Sequence, residues 1–258
     1  MRIVSTTCSN TEIVCALGCE QYLVGVDDHS DYPKEVVSDL PRVGPDLQVD
    51  TGLISKLQPD LVLASLTVPG HEKVINSLKT AGLPHWASAP ESLASVYRDI
   101  SDIAQQLGVP DRGTQLVEDM QQQIKAVDRP DDQRASIAVQ WWPKPIIAAA
   151  RKSWVHDLIE LAGGSNALEY IDEISAPLEF ETFAELNPDI IAISWCGVKE
   201  DKYRPSVISN NPLLRRVSAV QKERIISIPE AFLGRPSMRL VEGYKMLKIA
   251  VDKFNQEY

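Results

Sequence analysis

Short apolar runs alternate with stretches of helical periodicity through the first half of the chain. Ile3-Val4 and residues 23–26 and 60–64 read as strands, and residues 11–17 and 51–57 read as helices. Asn10-Thr11-Glu12 offers a cap followed by an acid, Gly18 can end that helix, and Pro59-Asp60 breaks the second helix before its strand. This alternation predicts an α/β layer with parallel strands.

The pattern then repeats. Lys56-Leu57-Gln58-Pro59-Asp60-Leu61-Val62-Leu63-Ala64 returns as Glu185-Leu186-Asn187-Pro188-Asp189-Ile190-Ile191-Ala192-Ile193, an offset of 129 residues, which is also half the chain. A strand over 136–141 and a helix over 154–162, stopped by Gly163-Gly164, precede the second copy. Between the copies, residues 91–107 and 111–127 read as helices. The second carries Leu116, Met120, Ile124 and Val127 as one apolar stripe. The expected fold is α/β: two Rossmann-like lobes joined by a single long helix, with a ligand cleft between the lobes. The lobes span 1–107 and 131–258 and the linking helix 108–130. One stiff strut limits closure to small angles.

Composition narrows the function. The 258 residues are 44% hydrophobic and 24% charged, a profile that excludes disorder and disulfide miniproteins. A net charge of −10 repels phosphate backbones, so no nucleic-acid partner is expected. No stretch approaches the roughly 20 apolar residues of a membrane span. No charged-then-apolar leader precedes the first strand, which by itself points to the cytoplasm if Met1 is the native start. Cys8, Cys15, Cys19 and Cys196 form no zinc-like pair, lean weakly toward a reducing compartment and, for Cys15 and Cys19, read as small buried fillers.

Ligands of open α/β sheets collect beyond the carboxyl ends of the strands. There the chain places Cys8-Ser9-Asn10, His29 to Pro33, Ser65 to Val68, Trp86, Trp141-Trp142-Pro143, Trp195-Cys196-Gly197 and Phe232 to Arg235. Four of five tryptophans fall at such ends. They describe an aromatic wall for a large, flat, partly apolar ligand, with Ser9, Asn10, Arg235 and Arg239 as polar anchors. The alternative is that Trp141, Trp142 and Trp195 fill the core and the arginines lie on a solvated helix face. His29, His71, His85 and His156 show no metal-ligand spacing, and no P-loop, nucleophile elbow or dinucleotide fingerprint occurs. A Cys8 nucleophile beside His29 is the one catalytic pairing to consider, and a non-enzymatic role is expected.

Taken together, Arg2-Ile3-Val4-Ser5, Ser9-Asn10-Thr11-Glu12-Ile13, Ala16-Leu17-Gly18, Val24-Gly25-Val26, Asp31-Tyr32-Pro33, the Pro59-Asp60 turn and Arg235-Pro236-Ser237-x-Arg239 resemble the substrate-binding proteins of cobalamin and iron-siderophore ABC importers. The resemblance to the cobalamin branch of these class III periplasmic binding proteins runs nearly the full length. It implies a periplasmic, monomeric protein without intrinsic cofactor that holds cobalamin or another corrinoid or tetrapyrrole and delivers it to an ABC permease. Tyr32 and Trp86 match aromatic contact positions, whereas Leu66 and Phe232 stand where tryptophans are expected. Lost ring area could admit a different macrocycle, haem or a ferric siderophore. Cys8 and Cys196 could ligate a metal centre of the ligand or act as small fillers. The resemblance also implies docking through one carboxylate per lobe. Glu72 lies thirteen residues after Pro59, and Asp201, with Glu200 beside it, thirteen after Pro188. Ordinary helix-dipole pairing explains such acids equally well. A cofactor-handling enzyme or chaperone on the same scaffold is the alternative from another class.

Overall fold

The computed structural model describes residues 1–257. The chain divides into two compact units, one built from Met1–Pro90 with Ser95–Asp119, the other from Glu91–Ala94 with the chain from Met120 onward. Among the described residues no helix is long and apolar enough to cross a membrane.

The first unit contains β1 (Ile3–Ser5), α1 (Cys8–Ala16), β2 (Leu23–Val26), α2 (Lys34–Val37), α3 (Thr51–Lys56), β3 (Leu61–Ser65), α4 (His71–Thr80) and β4 (His85–Ser88). It also holds most of α5 (Leu93–Gln106) and α6 (Pro110–Gln123). The four strands are parallel in the order β2-β1-β3-β4, as the alternation predicts. Successive side chains of a strand point to opposite faces. Val4, Val62 and Ala64 therefore pack with Ile54 of α3 and Val74, Ile75 and Leu78 of α4, while Ile3 and Leu63 are buried from the other face. Each of the valine, isoleucine and leucine side chains among them contributes about 1.5–3 kcal/mol through burial. The helix α6 lies against α5 because Gly113 has no side chain: a Cβ there would sit 2.5 Å from the Ala104 Cβ.

The helix expected over 111–127 stops at Gln123. Ile124 N–H still reaches Met120 O, at 2.8 Å, but Val127 N–H turns to Leu161 O, at 2.9 Å. Pro130 biases the residue before it away from helix, and Met120 and Ile124 keep their predicted buried positions.

The second unit contains β5 (Ser136–Pro143), β6 (Ile146–Ala149), α7 (Trp154–Leu161), β7 (Ser165–Asn166), β8 (Ser175–Leu178), α8 (Phe180–Leu186) and β9 (Ile190–Ile193). After these come α9 (Ser206–Ser209), α10 (Ser218–Gln221), β10 (Ile225–Ser227), α11 (Glu230–Leu233) and α12 (Leu240–Gln256). Its sheet runs β10-β9-β5-β6-β8, with β7 beside β5. Only β10, β9, β5 and β7 are mutually parallel; β6 returns antiparallel to β5, and β8 antiparallel to β6. Ala138, Ile191 and Ile193 face a core shared with Phe183, Ile208, Leu214 and Ala219. On the other face, α12 packs on α7 and α11.

The sequence echo is an atomic repeat. Gln58 and Asn187, each just past a helix end, both take the left-handed conformation, with φ 49° and 45°. The next acid then grips the first strand of its own unit. Arg2 N–H donates to Asp60 Oδ2 at 2.7 Å and Asp60 N–H to Arg2 O at 2.8 Å; Ser136 N–H donates to Asp189 Oδ2 at 3.0 Å and Asp189 N–H to Ser136 O at 2.8 Å. The strands that follow, β3 and β9, pair in parallel with β1 and β5.

Candidate functional site

At the carboxyl edge of the first sheet, β1 passes through Thr6 and Thr7 directly into α1. A line of buried polar groups runs beneath this edge. Ser5 Oγ donates to Thr7 O at 3.0 Å, Thr11 Oγ1 lies 2.9 Å from Ser5 Oγ and 2.8 Å from Ser30 Oγ, and Ser30 Oγ lies 2.5 Å from Asp27 Oδ1. Thr11 donates to Ser5 and Ser30 donates to the Asp27 carboxyl. Burial, the largest influence, pushes that carboxyl above its ordinary range, against the Ser30 hydroxyl and the His29 amide and ring. Arg42 fixes the same loop from outside, its guanidinium donating to Asp27 O at 2.8 Å, Ser30 O at 2.6 Å and Val37 O at 3.1 Å. That loop carries Tyr32.

A second polar group joins the loops after β2 and β3. Asp46 lies with Oδ2 3.3 Å from His71 Nε2 and Oδ1 3.6 Å from His29 Nε2. The His71 hydrogen bond, ahead of the charges of His71 and His29, holds the Asp46 carboxyl below its ordinary range despite burial. His71 Nδ1 accepts from Val68 N–H at 3.3 Å.

Around these anchors the first unit presents apolar side chains outward. Tyr32, Leu66 and Val68 are 44%, 41% and 41% exposed. Trp86 is half-buried and lies within β4, paired in register with Leu63, instead of following the strand. Cys8 opens α1 and is half-buried. Ser9 and Asn10 are buried, and the Asn10 amide, expected as a ligand anchor, donates to Ala64 O at 2.8 Å and straps α1 to β3. Glu72 is exposed in the first turn of α4. Its Oε2 accepts from Gly70 N–H at 3.0 Å, and its own amide and that of Gly70 hold its carboxyl below the ordinary range.

In the second unit Trp141 and Trp142 lie inside β5, which runs on into the hairpin with β6; the pairing is irregular between Gln140 and Trp142. Trp142 is exposed and its Nε1 donates to Lys144 O at 3.1 Å, whereas Trp141 is half-buried. Trp195, expected in the aromatic wall, belongs to the core. It is 5% exposed, its Nε1 donates to Gln140 Oε1 at 3.0 Å, and its ring meets Tyr203 at 5.5 Å between centroids. Tyr203 in turn donates to Trp195 O at 3.3 Å and accepts from Glu230 N–H at 3.1 Å; burial pushes its hydroxyl pKa up, keeping it a donor. Cys196 is exposed.

The arginines are set by neighbours of their own unit. Arg235 is nearly buried and pairs with Glu230 at 3.0 Å, and Arg239, the N-cap of α12, lies with its guanidinium carbon 4.9 Å from the centre of the half-buried Phe232 ring. This is more than a solvated helix face, and both arginines shape the corner between α11 and α12. Glu200 and Asp201 stand exposed in a short 3₁₀ turn, Asp201 at 3.7 Å from Lys202.

Among the described residues no cysteine is joined in a disulfide. Burial, then the charges of Glu20, Glu12 and Glu35, push the Cys15 thiol up to about 12, so it is a filler and not a thiolate. Among the described residues no three His, Cys, Asp or Glu side chains are grouped to hold a metal ion. Sequence reasoning missed Arg42, Asp46 and the use of Asp27 and His71. The polar run Asp27-Asp28-His29-Ser30-Asp31 after a strand was the available signal, but its partners are distant in sequence.

Residues 3–232 match the periplasmic binding protein family. An uncharacterized ABC transporter substrate-binding lipoprotein of Bacillus subtilis, YvrC, is 28% identical over 255 residues, spanning 95% of this chain and 78% of the relative. The vitamin B12-binding protein of Vibrio parahaemolyticus is 25% identical over 244 residues, spanning 94% and 86%. The periplasmic heme-binding protein RhuT from Roseiflexus sp. RS-1, in its apo form, is similar with a TM-score of 0.81 at 27% identity, covering 98% of both chains. The vitamin B12-binding protein BtuF of Vibrio cholerae shares the fold with a TM-score of 0.77 at 22% identity, covering 98% of this chain and 97% of that one. With two α/β units on these strand orders and a family match over most of its length, the chain belongs to the periplasmic binding protein family.

Proposed function

We propose that this chain is the ligand-binding component of an ABC importer and that its ligand is a corrinoid or a related tetrapyrrole. The observation that carries the reading is the exposed set Tyr32, Leu66 and Val68 at the carboxyl edge of a fully parallel sheet, above loops that Arg42, Asp27 and Asp46 hold in place. Exposed apolar groups at that edge fit a ligand bound by area and stacking, with affinity from desolvation more than from charge. The vitamin B12-binding and heme-binding relatives supply the ligand class. A ferric siderophore is the second reading, favoured by Leu66: the smaller side chain leaves room for a less planar guest. Titrating cyanocobalamin, haem and a ferric hydroxamate against tryptophan fluorescence decides among them, and the absence of quenching by any of the three removes the proposal.

The role is carriage, not conversion, so bound ligand is expected back chemically unchanged after release. Turnover lost in Cys8→Ala would instead favour a cofactor-processing enzyme. We further propose that Glu72 and the Glu200-Asp201 pair meet basic groups of the permease. Their exposure and their equivalent distance from the two Pro-Asp turns support this. Glu72→Ala with Asp201→Ala should then lower transport while leaving ligand affinity unchanged; unchanged transport would reduce both acids to ordinary surface.

A further inference from the structure

His71 opens α4 and is almost fully buried. Its two ring nitrogens meet partners that admit one protonation state. Val68 N–H can only donate, so Nδ1, at 3.3 Å, must be bare; Nε2, at 3.3 Å from Asp46, must carry the hydrogen. We propose that His71 is a positioning residue that pins the Thr67–Gly70 turn, and that adding a proton to its ring releases this turn.

The site for the added proton is Nδ1, directly against the Val68 N–H. Two donors then face each other and the contact is lost. The charged ring gains a stronger partner in Asp46, so the ring stays and the turn moves. The groups facing His71 all bear on this. Asp46 comes from the loop between α2 and α3, His29 shares Asp46 from the loop after β2, and Asp27 accepts the His29 amide at 3.0 Å. Next to His71 on α4 stand Lys73 and Glu72, the latter bound to the Gly70 amide. The rest of the turn has anchors of its own. Leu66 N–H is held by Ser88 O at 2.7 Å, Thr67 N–H by Ser65 Oγ at 3.3 Å, and Val68 O accepts the His71 N–H at 3.1 Å, so release is confined to the Val68 N–H. Val68 is one of the exposed apolar groups of the proposed ligand surface, and an effect on ligand retention rests on that reading.

The direct test needs no ligand. Nitrogen chemical shifts should show His71 as the Nε2–H tautomer at pH 8. Protection of the Val68 amide against hydrogen exchange, corrected for intrinsic rate, should fall at least tenfold once acidification puts the second proton on the His71 ring, as its nitrogen shifts report. His71→Asn puts a carbonyl oxygen where Nδ1 lies, and Val68 protection should then be independent of pH. Constant protection in the parent protein, an equal fall in the variant, or the Nδ1–H tautomer overturns the proposal. If His71→Asn does not fold, Asp46→Asn should lower the His71 titration midpoint and move the loss of Val68 protection with it; no movement overturns it equally. The affinity for cyanocobalamin or haem, whichever the parent binds, should drop about tenfold in the parent over the range in which the nitrogen shifts report protonation of His71, and stay constant in His71→Asn. A turn that titrates in a protein binding no macrocycle would keep the pin and remove only the functional reading.

Discussion

The two sheets start from the same turn and finish differently. In both units an acid after a Pro grips the opening strand, and the next strand pairs beside it in parallel. Beyond that point the first unit turns its opening strand straight into a helix and leaves exposed apolar groups over a braced polar edge. The second folds its opening strand back as a hairpin and packs Trp195 into the core. The repeat therefore encodes how a strand is anchored, whereas the loops after each strand encode what the surface offers a ligand.

The largest effect separating the two edges should come from Trp195→Ala, which removes a buried ring and leaves Gln140 Oε1 without its donor. A loss of about 3–5 kcal/mol is expected, read as a fall in denaturation midpoint. A loss below about 1 kcal/mol would return Trp195 to the surface. Next is Gly243→Ala, whose Cβ would lie 2.2 Å from Phe232 O and 2.6 Å from Leu233 Cδ2. The backbone oxygen cannot swing aside, so a cost near the upper end of about 1–3 kcal/mol follows from overpacking. Gly113→Ala in the first unit would put its Cβ 2.5 Å from the Ala104 Cβ, which moves only with the α5 backbone, and should cost a similar amount; a much smaller cost would show that α5 and α6 separate more freely than their packing implies.

Asp60→Ala and Asp189→Ala test the shared turn. Each removes one hydrogen bond to the opening strand, and each should cost about 0.5–1.5 kcal/mol. Similar values sharpen the equivalence, and a cost confined to one unit breaks it. The pH response should separate the units more gently. Burial, then the nearby Asp102, push the Asp99 carboxyl up to about 7. A raised folded pKa stabilises fully below the ordinary carboxylate value and loses that contribution as pH rises through the folded value. Unfolding free energy should thus decline between about pH 4 and 7, and Asp99→Asn should flatten the slope. Asp27→Asn should act in the same direction, since it removes a second carboxyl that burial holds above its ordinary range. The smallest effect on stability belongs to Trp142→Ala and Tyr32→Ala, within about 0.5 kcal/mol, because both side chains are exposed.

Much of this was legible in the chain. The strand and helix alternation, the two-unit repeat and the parallel sheet of the first unit follow from periodicity and from the Pro-Asp turns. The hairpin was not, because Trp141-Trp142-Pro143 satisfies a strand end and a strand interior equally well until Ile146 to Ala149 pair with it. Trp195 was misplaced for a related reason: a strand-end aromatic can face outward or fold down, and Gln140 and Tyr203, which decide it, are not its sequence neighbours. Helix α6 was drawn too long because its apolar stripe outlasts its hydrogen bonds. Asp46 was invisible as a bridge because both histidines it serves are remote in sequence.

In the proposed function the ligand meets the first unit's open edge, whereas Trp195 of the second unit is core. The most direct measurement is the affinity of a Tyr32→Ala, Leu66→Ser variant for whichever of cyanocobalamin, haem or the ferric hydroxamate the parent binds most tightly. A loss of tenfold or more with an unchanged denaturation midpoint is expected, and parental affinity in that folded variant would place the ligand elsewhere.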